Sequence, residues 1–347
     1  MTLVSVLLPV HNGARYLESA VRSILNQTHR DLELIVVDDG STDGSGEIVS
    51  ALGDSRIRLI RNDRNLGLSG ALNRGLGTAR AAIVARQDAD DLSHPGRLAA
   101  QVRFLEANPD VGLVGTQAWL IDEDGRGQGS LEHACAHESL VWELLFDNAF
   151  VHTSVVFRRE AVIGDHGGYD LASAYNQDYE LWLRLARTTR LANLPERLVA
   201  IRSHGASMTR TMGDESATAN RRILARALPS VLGETSAETV ELVARAREGM
   251  EVSDLRRLLP LLEGWVSSYH PFVPPQVQGD FRRTLARQYL KLAFTRRGRS
   301  LTRIVLAIWG GRHQGSELMR TFLTLAVQRA RLSLGYDPLA SFEGGAP

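Results

Sequence analysis

Four short apolar runs alternate with segments of helical periodicity over the first hundred residues, and this alternation limits the possible folds more than anything else in the chain. Val4 to Val10, Leu32 to Val37, Ile57 to Ile60 and Ala81 to Ala85 are short and apolar, with many β-branched side chains. Such runs read as strands buried on both faces. Tyr16, Leu17, Ala20, Val21, Ile24 and Leu25 recur at helical spacing after the first run, and Leu68 to Arg80 reads as a helix before the fourth. Thr42 or Asp43 stands where it can cap a helix through Ile48 and Val49. Strands alternating with helices predict a doubly wound, mostly parallel α/β sheet. Such sheets bind ligands beyond the carboxyl ends of their strands.

The loops at those ends carry the candidate chemistry. The fourth run closes on Asp88, Asp90 and Asp91. Carboxylates this close repel one another and are costly to hold together without a cation. Hard divalent cations such as Mg²⁺ and Mn²⁺ prefer oxygen ligands and commonly bridge carboxylates to phosphates. The cluster reads either as a metal–phosphate site or as a solvated acidic turn. The loops Pro9 to Gly13 (PVHNG) and Val36 to Ser45 (VVDDGSTDGS) end neighbouring strands. Asp39 can accept a hydrogen bond from a nucleobase ring N–H there, with His11 beside it. Asp38 and Asp39 would serve equally well as turn and helix caps. Neither GxGxxG nor GxxxxGK[ST] occurs in these loops, which argues against a dinucleotide site and a P-loop.

A second block follows. Val111 to Ile121, Val151 to Phe157 and Arg197 to Arg202 read as strands, Asp122 to Ser130 as a polar turn, and Ser139 to Phe146 and Gln177 to Arg187 as helices. Beyond about residue 212 the chain is rich in Ala, Leu and Arg with helical periodicity, broken by Pro271 to Pro275. The length of 347 residues accommodates one large domain or two ordinary ones. Lys plus Arg and Asp plus Glu balance at 40 each, so net charge argues neither for nor against nucleic acid. The single Cys135 excludes an intrachain disulfide and fits a reducing compartment. The apolar start, MTLVSVLLPVHNG, has no basic segment before it and no small-residue cleavage site, and reads as a first strand. No run reaches the roughly 18 apolar residues that span a bilayer.

Several stretches together resemble family 2 glycosyltransferases of the GT-A fold, of the bacterial surface-polysaccharide type. Pro9 to Ser45 is similar to the family's nucleotide-binding start, and Arg64 to Gln101 to the next block with its DxD motif. Asn148 to Val162 and Gly167 to Arg187 are similar to its acceptor-side blocks. The resemblance covers about residues 3 to 210. It implies a GT-A domain over residues 1–212, with 1–100 binding a nucleotide-sugar and 101–212 on the acceptor side, and a helical C-terminal domain over 213–347.

By position, Pro9, His11, Asn12 and Asp39 would hold the donor's base and ribose, although the family often has Tyr where His11 stands. Asn65, Gly67 and Arg86 would line the same pocket. Asp88 and Asp90 would form the DxD pair, with Asp90 the direct ligand of Mn²⁺ or Mg²⁺, Asp88 nearer the ribose or a metal-bound water, and Asp91 in support. Asp178 falls where relatives carry a catalytic base after Glu. Gln177 replaces that Glu here, and an Asp at a helix start is also a good cap. Arg202, His204 and Ser207 match a stretch from which many GT-A enzymes reach back to the metal, while a lone His after a strand is commonly structural. His152 either lines the acceptor pocket or bonds the backbone, Gln177 and Arg202 would also stand on the acceptor side, and Trp182 and Leu183 read as core.

The implied activity is metal-dependent, inverting transfer of a sugar, with a UDP-sugar favoured, to a hydroxyl of a glycan or lipid-linked glycan. It would take place in the cytoplasm, with peripheral association at the inner face of the membrane left open. Arg282, Arg283, Arg287, Lys291, Arg296, Arg297, Arg299 and Arg303 run without an acidic residue among them. They read as a solvated helix face or as a surface for anionic lipid; no nucleic-acid motif accompanies them. Two other classes stay open: a phosphohydrolase of the haloacid dehalogenase type, which also places DxD after a strand, and a non-catalytic nucleotide-sugar-binding protein.

Overall fold

The computed structural model describes residues 2–164, 166–173, 175–205, 214–232, 235–248 and 252–293. Ser207, Arg296, Arg297, Arg299 and Arg303 lie outside them. The described residues fall into two compact units, one of 2–132 with 150–205 and one of 133–149 with 214–293.

In the first unit the elements run β1 (Val4–Val10), α1 (Ala14–Leu25), β2 (Leu32–Asp38), α2 (Ser45–Ala51), β3 (Ile57–Arg61), α3 (Gly67–Thr78), β4 (Ile83–Arg86), β5 (Leu92–Ser93), α4 (Arg97–Ala107), β6 (Val111–Ile121) and β7 (Gly127–Leu131). After α5 (His137–Leu144), which belongs to the second unit, come β8 (Val156–Arg158), α6 (Arg159–Ile163), α7 (Gln177–Leu185) and β9 (Arg190–Arg202). One sheet holds all nine strands in the order β3-β2-β1-β4-β8-β6-β9-β5, with β7 on β6. The predicted α/β alternation is present: β3, β2, β1 and β4 are parallel. Beyond β4 the sheet turns mixed, because β8 pairs antiparallel to both β4 and β6.

Every residue of β1 and β2 is buried, as their unbroken apolar runs require. Alternate side chains serve opposite layers. Val4, Val6, Leu8 and Val10 join Leu17, Val21 and Ile24 of α1 and Leu98, Val102 and Leu105 of α4 in one core. Leu7 and Val37 face α3 on the other side. A Cβ on Gly75 would stand 3.1 Å from Leu7 Cδ2 and 3.3 Å from Val37 Cγ2, so the glycine lets that helix lie close to the sheet. Each such fully buried aliphatic side chain contributes about 1.5–3 kcal/mol.

Three local expectations fail. The polar turn after β6 is shorter than expected, and Gly127–Leu131 returns along β6 as β7. His152–Ser154 is a 3-10 turn, so only Val156–Arg158 is strand. β9 starts at Arg190, well before Arg197, and absorbs Pro195 and Glu196 where its register against β6 shifts. At α2 the cap position is Gly44, with φ +87°, while Asp43 Oδ1 accepts the Ser45 N–H at 3.0 Å.

The second unit is helical, with helices Asp214–Leu232, Ala237–Glu248, Val252–Tyr269 and Gln278–Ala293 beside α5. Trp142 of α5 is buried against Phe281, Tyr269 and Phe146. Asp280 Oδ2 accepts the N–H groups of Cys135 and Ala136 at 3.2 and 3.1 Å, ahead of α5. Arg282 and Arg283 are exposed. Among the described residues no helix is long and apolar enough to cross a membrane.

Candidate active site

The parallel strands bring three loops to one sheet edge. Pro9 lies buried in β1 opposite Val37, and the chain turns out at His11 and Asn12. Asn12 has φ +52°, a left-handed conformation that Asn tolerates better than most residues. It is held by the β2 loop: its N–H donates to Ser41 Oγ at 3.0 Å, and its Oδ1 accepts the Thr42 N–H at 2.9 Å. His11 Nδ1 lies 2.8 Å from the Asp39 carbonyl. Asp39 is buried, and its Oδ1 accepts the Asn62 side-chain amide and the Leu66 N–H. Asn65 accepts the Gly67 N–H at 2.8 Å, and Gly67, with φ +78°, starts α3. His11, Asn12, Asp39, Asn65 and Gly67 thus form one rim.

The acid cluster follows β4. Oxygens of Asp88, Asp90 and Asp91 all lie within 4.8 Å of one another. Asp88 pairs with the buried guanidinium of Arg86, and its N–H donates to Thr153 Oγ1 at 2.9 Å. Burial pushes the Asp88 carboxyl above its ordinary range; Arg86 opposes the shift, and the charges of Asp90 and Asp178 add to it. Burial raises Asp91 further, with Asp88 and Asp90 adding to the shift. This mutual repulsion, in an all-oxygen donor set, fits a hard divalent cation.

The end of β9 closes the cluster from the other side. His204 Nε2 lies 2.9 Å from Asp90 Oδ2. Arg202 donates its N–H to Asp91 Oδ1 at 2.9 Å and its Nε to the Asp90 carbonyl at 3.1 Å, and its guanidinium lies 4.5 Å from the Tyr16 ring centre. The structure therefore brings together Arg86, Asp88, Asp90, Asp91, Arg202 and His204. Arg202, expected on the acceptor side, lies against the acid cluster.

Asp178 stands in the first turn of α7, after Asn176 at φ +57°. Its Oδ1 accepts the Tyr179 N–H at 2.8 Å, and its charge is felt at Asp88 and Tyr169. Tyr169, which feels both carboxylates, belongs to a pair that the motifs did not single out as such. His152 Nε2 and the Tyr169 hydroxyl are 3.0 Å apart. Burial, with the charge of Arg86, holds His152 well below the ordinary histidine value, so it is neutral near pH 7. Gln177 is buried, and its Oε1 has no hydrogen-bond partner among the described residues. Trp182 and Leu183 are core, as expected, with Trp182 against Phe150 and His152.

Sequence reasoning missed Arg97. It is fully buried, and it donates to the Arg86 carbonyl at 2.6 Å, Gln87 Oε1 at 3.0 Å, Ser93 Oγ at 2.6 Å and Gln101 Oε1 at 3.1 Å. These bonds brace both ends of the acidic loop. The only signal was its place inside the second motif block.

Known proteins resemble this chain in sequence and in fold. The family model described as "Glycosyl transferase family 2" matches residues 5–212. An uncharacterized glycosyltransferase of Haemophilus influenzae is 35% identical over 58% of this chain, and the match spans 66% of that relative's length. The O-antigen biosynthesis glycosyltransferase WbnJ of Escherichia coli is 33% identical over 60% of this chain and 82% of its own. The amylovoran biosynthesis glycosyltransferase AmsE of Erwinia amylovora is 33% identical over 58% of this chain and 76% of its own. In fold, the chain is similar to S. aureus TarS 1-349, solved in complex with UDP-GlcNAc, with a TM-score of 0.57 at 13% identity over 95% of this chain and 92% of that one. The fold is thus GT-A, and the chain belongs to glycosyl transferase family 2.

Proposed function

We propose that this chain is a metal-dependent, inverting glycosyltransferase. It moves a sugar from a nucleotide-sugar, with UDP favoured, to a hydroxyl of a glycan or lipid-linked glycan in surface-polysaccharide synthesis. The observation that carries the reading is the carboxylate cluster of Asp88, Asp90 and Asp91 within 4.8 Å, at the same sheet edge as the Asp39 rim. The names of the E. coli and Erwinia relatives support a polysaccharide product, and the UDP-GlcNAc of TarS supports a uridine donor.

Asp90, with Asp88 and His204, would hold Mn²⁺ or Mg²⁺. Bound there, the cation supplies positive charge to the donor's diphosphate. For His204 to take part with Nε2, it must give up its hydrogen bond to Asp90, because one ring nitrogen cannot donate a proton and a lone pair at once. Pro9, His11, Asn12, Asp39, Asn65 and Gly67 hold the nucleoside, and Arg86 keeps Asp88 in place. On the other side, Asp178 removes the proton of the acceptor hydroxyl as that oxygen bonds to the anomeric carbon. The bond from that carbon to the diphosphate breaks, its electron pair leaving with the nucleoside diphosphate. A single displacement inverts the carbon and needs no protein nucleophile. Asp178 stands in the first turn of α7, at the positive end of the helix dipole. His152 and Gln177 belong to the acceptor side of this scheme, and Arg202 braces the acid cluster. Residues 1–212 would form the catalytic domain, and the helical part described up to residue 293 would meet the membrane face or a partner in the cytoplasm.

The test is Asp178→Asn assayed by donor titration and by sugar transfer. Donor binding should persist with Mn²⁺ present, while transfer falls by about 10²–10⁴-fold. Transfer at the wild-type rate would remove Asp178 from the scheme, and phosphate release without a sugar acceptor would point to a phosphohydrolase instead.

A further inference from the structure

Asp39 is the residue through which the proposed pocket would read a base, and two residues that the motifs did not single out govern how its carboxylate is presented. Asp39 is 3% exposed. Its backbone is pinned on both sides, with the N–H donating to the Val10 carbonyl at 2.8 Å and the carbonyl facing His11 Nδ1 at 2.8 Å. Its Oδ1 accepts the side-chain amide of Asn62 at 2.5 Å and the Leu66 N–H at 2.9 Å. No hydrogen bond from the described residues reaches Oδ2.

Asn62 is itself buried and oriented at both ends. Its Oδ1 takes a guanidinium N–H from Arg74, so its NH₂ group faces Asp39, and its backbone N–H donates to the Asp38 carbonyl at 2.8 Å. Arginine has no acceptor, and an ionised carboxylate has no donor. Flipping the Asn62 amide would therefore set donor against donor at one end and acceptor against acceptor at the other.

We propose that Asn62 and Arg74 are positioning residues that make this pocket selective for nucleobases carrying a ring N–H. The inference rests on reading the site as a nucleotide-sugar site. With Oδ1 saturated by protein donors, the carboxylate cannot rotate to suit its ligand, and Oδ2 is offered as an acceptor in a fixed direction. Uracil and thymine present N3–H to it, and guanine presents N1–H. Cytosine N3 and adenine N1 present a lone pair, which leaves acceptor against acceptor. Without the Asn62 amide, the carboxylate can turn toward an exocyclic amino group, and the distinction relaxes.

The test is titration calorimetry with Mn²⁺ present, comparing UDP, dTDP and GDP with CDP and ADP. The diphosphate and the cation are common to all five, so affinity ratios isolate the base. The wild-type chain should prefer the best of the first three over CDP by about tenfold or more, the value of one hydrogen bond to a charged group. Asn62→Leu should lose most of that ratio by weakening the preferred nucleotide while changing CDP less than about twofold. Arg74 is exposed on α3, so its variants report even if Asn62→Leu fails to fold. Arg74→Ala should lower the ratio, and Arg74→Lys, which keeps a donor for Asn62, should restore it. A wild-type chain that binds none of the five would overturn the nucleotide-site reading itself, and one that binds all five equally would overturn the base selectivity proposed here. A discriminating wild type whose Arg74→Ala variant keeps the full ratio would overturn the positioning role alone.

Discussion

At the scale of single residues, buried charge is where the sequence was hardest to read. Arg97 donates only to neutral acceptors, and burial, with the nearby charge of Arg86, pushes its pKa down to about 9. Arg97→Met would strand the Arg86 carbonyl and Gln101 Oε1 without that donor, while Gln87 Oε1 keeps the Ser93 hydroxyl. Each stranded group costs about 1–3 kcal/mol, so urea denaturation should show a loss of about 3 kcal/mol or more. Arg97→Lys keeps the charge but not the fork that reaches all four acceptors, and should recover only part of it. Glu33 is a second case. Burial alone would raise its carboxyl, but the Ser5 hydroxyl at 2.6 Å, the Arg80 N–H at 2.8 Å and Arg58 at 2.7 Å together hold it below the ordinary value. A lowered folded pKa adds stability above the unfolded pKa and loses it as pH falls through the folded one. Glu33→Gln should therefore melt below wild type at pH 7, and the gap should close toward pH 3. The Asp88–Asp91 cluster, by contrast, was legible, because an acid run after an apolar strand stands out in one dimension. The His152–Tyr169 and Asn62–Arg74 pairs were not, since each member looks ordinary until the fold joins it to its partner.

At the scale of elements, long periodic segments declared themselves and short or irregular ones did not. β1, β2, β3, β4 and β6 were legible from apolar runs, and α1 and α7 from their spacing. β8 has only three residues, and its place between β4 and β6 follows from pairings that local pattern cannot reveal. β7, with Gly127 and Gly129, carries none of the usual strand composition and forms because β6 offers it an edge. Gly115 in β6 tests how tightly these elements are fitted. Gly→Ala in an unstrained site usually stabilises by about 0.4–1 kcal/mol. Here a Cβ would overlap Asn193 Oδ1, stand 2.9 Å from Phe150 Cδ1 and crowd Ser154 Oγ at 3.3 Å. Overpacking of that kind costs about 1–3 kcal/mol, so the steric term should win. Gly115→Ala should lower the denaturation midpoint; an unchanged or higher midpoint would mean that β6 and β9 can separate at little cost.

At the scale of the whole molecule, the proposed cation and nucleotide sites are built by different loops of one sheet and should behave as one. The rim holds Asp39, the cluster holds Asp88, Asp90 and Asp91, and β1 lies between β2 and β4, the strands that precede them. A diphosphate spanning that distance would touch both, so cation and nucleotide should each raise the other's affinity by the same factor, as linkage requires. A ligand at 100 times its dissociation constant that binds only the folded state stabilises it by about 2.7 kcal/mol. For a unit of this size that corresponds to a rise of about 5–10 °C in melting temperature. UDP with Mn²⁺ should produce such a rise, while UDP with a chelator, or Mn²⁺ alone, should give a much smaller one. Asp90→Ala should remove the dependence on Mn²⁺ and leave the weak shift with UDP alone, because the rim is untouched. If UDP stabilised the wild-type chain equally with and without the chelator, the acid cluster would have to be read again as a solvated turn.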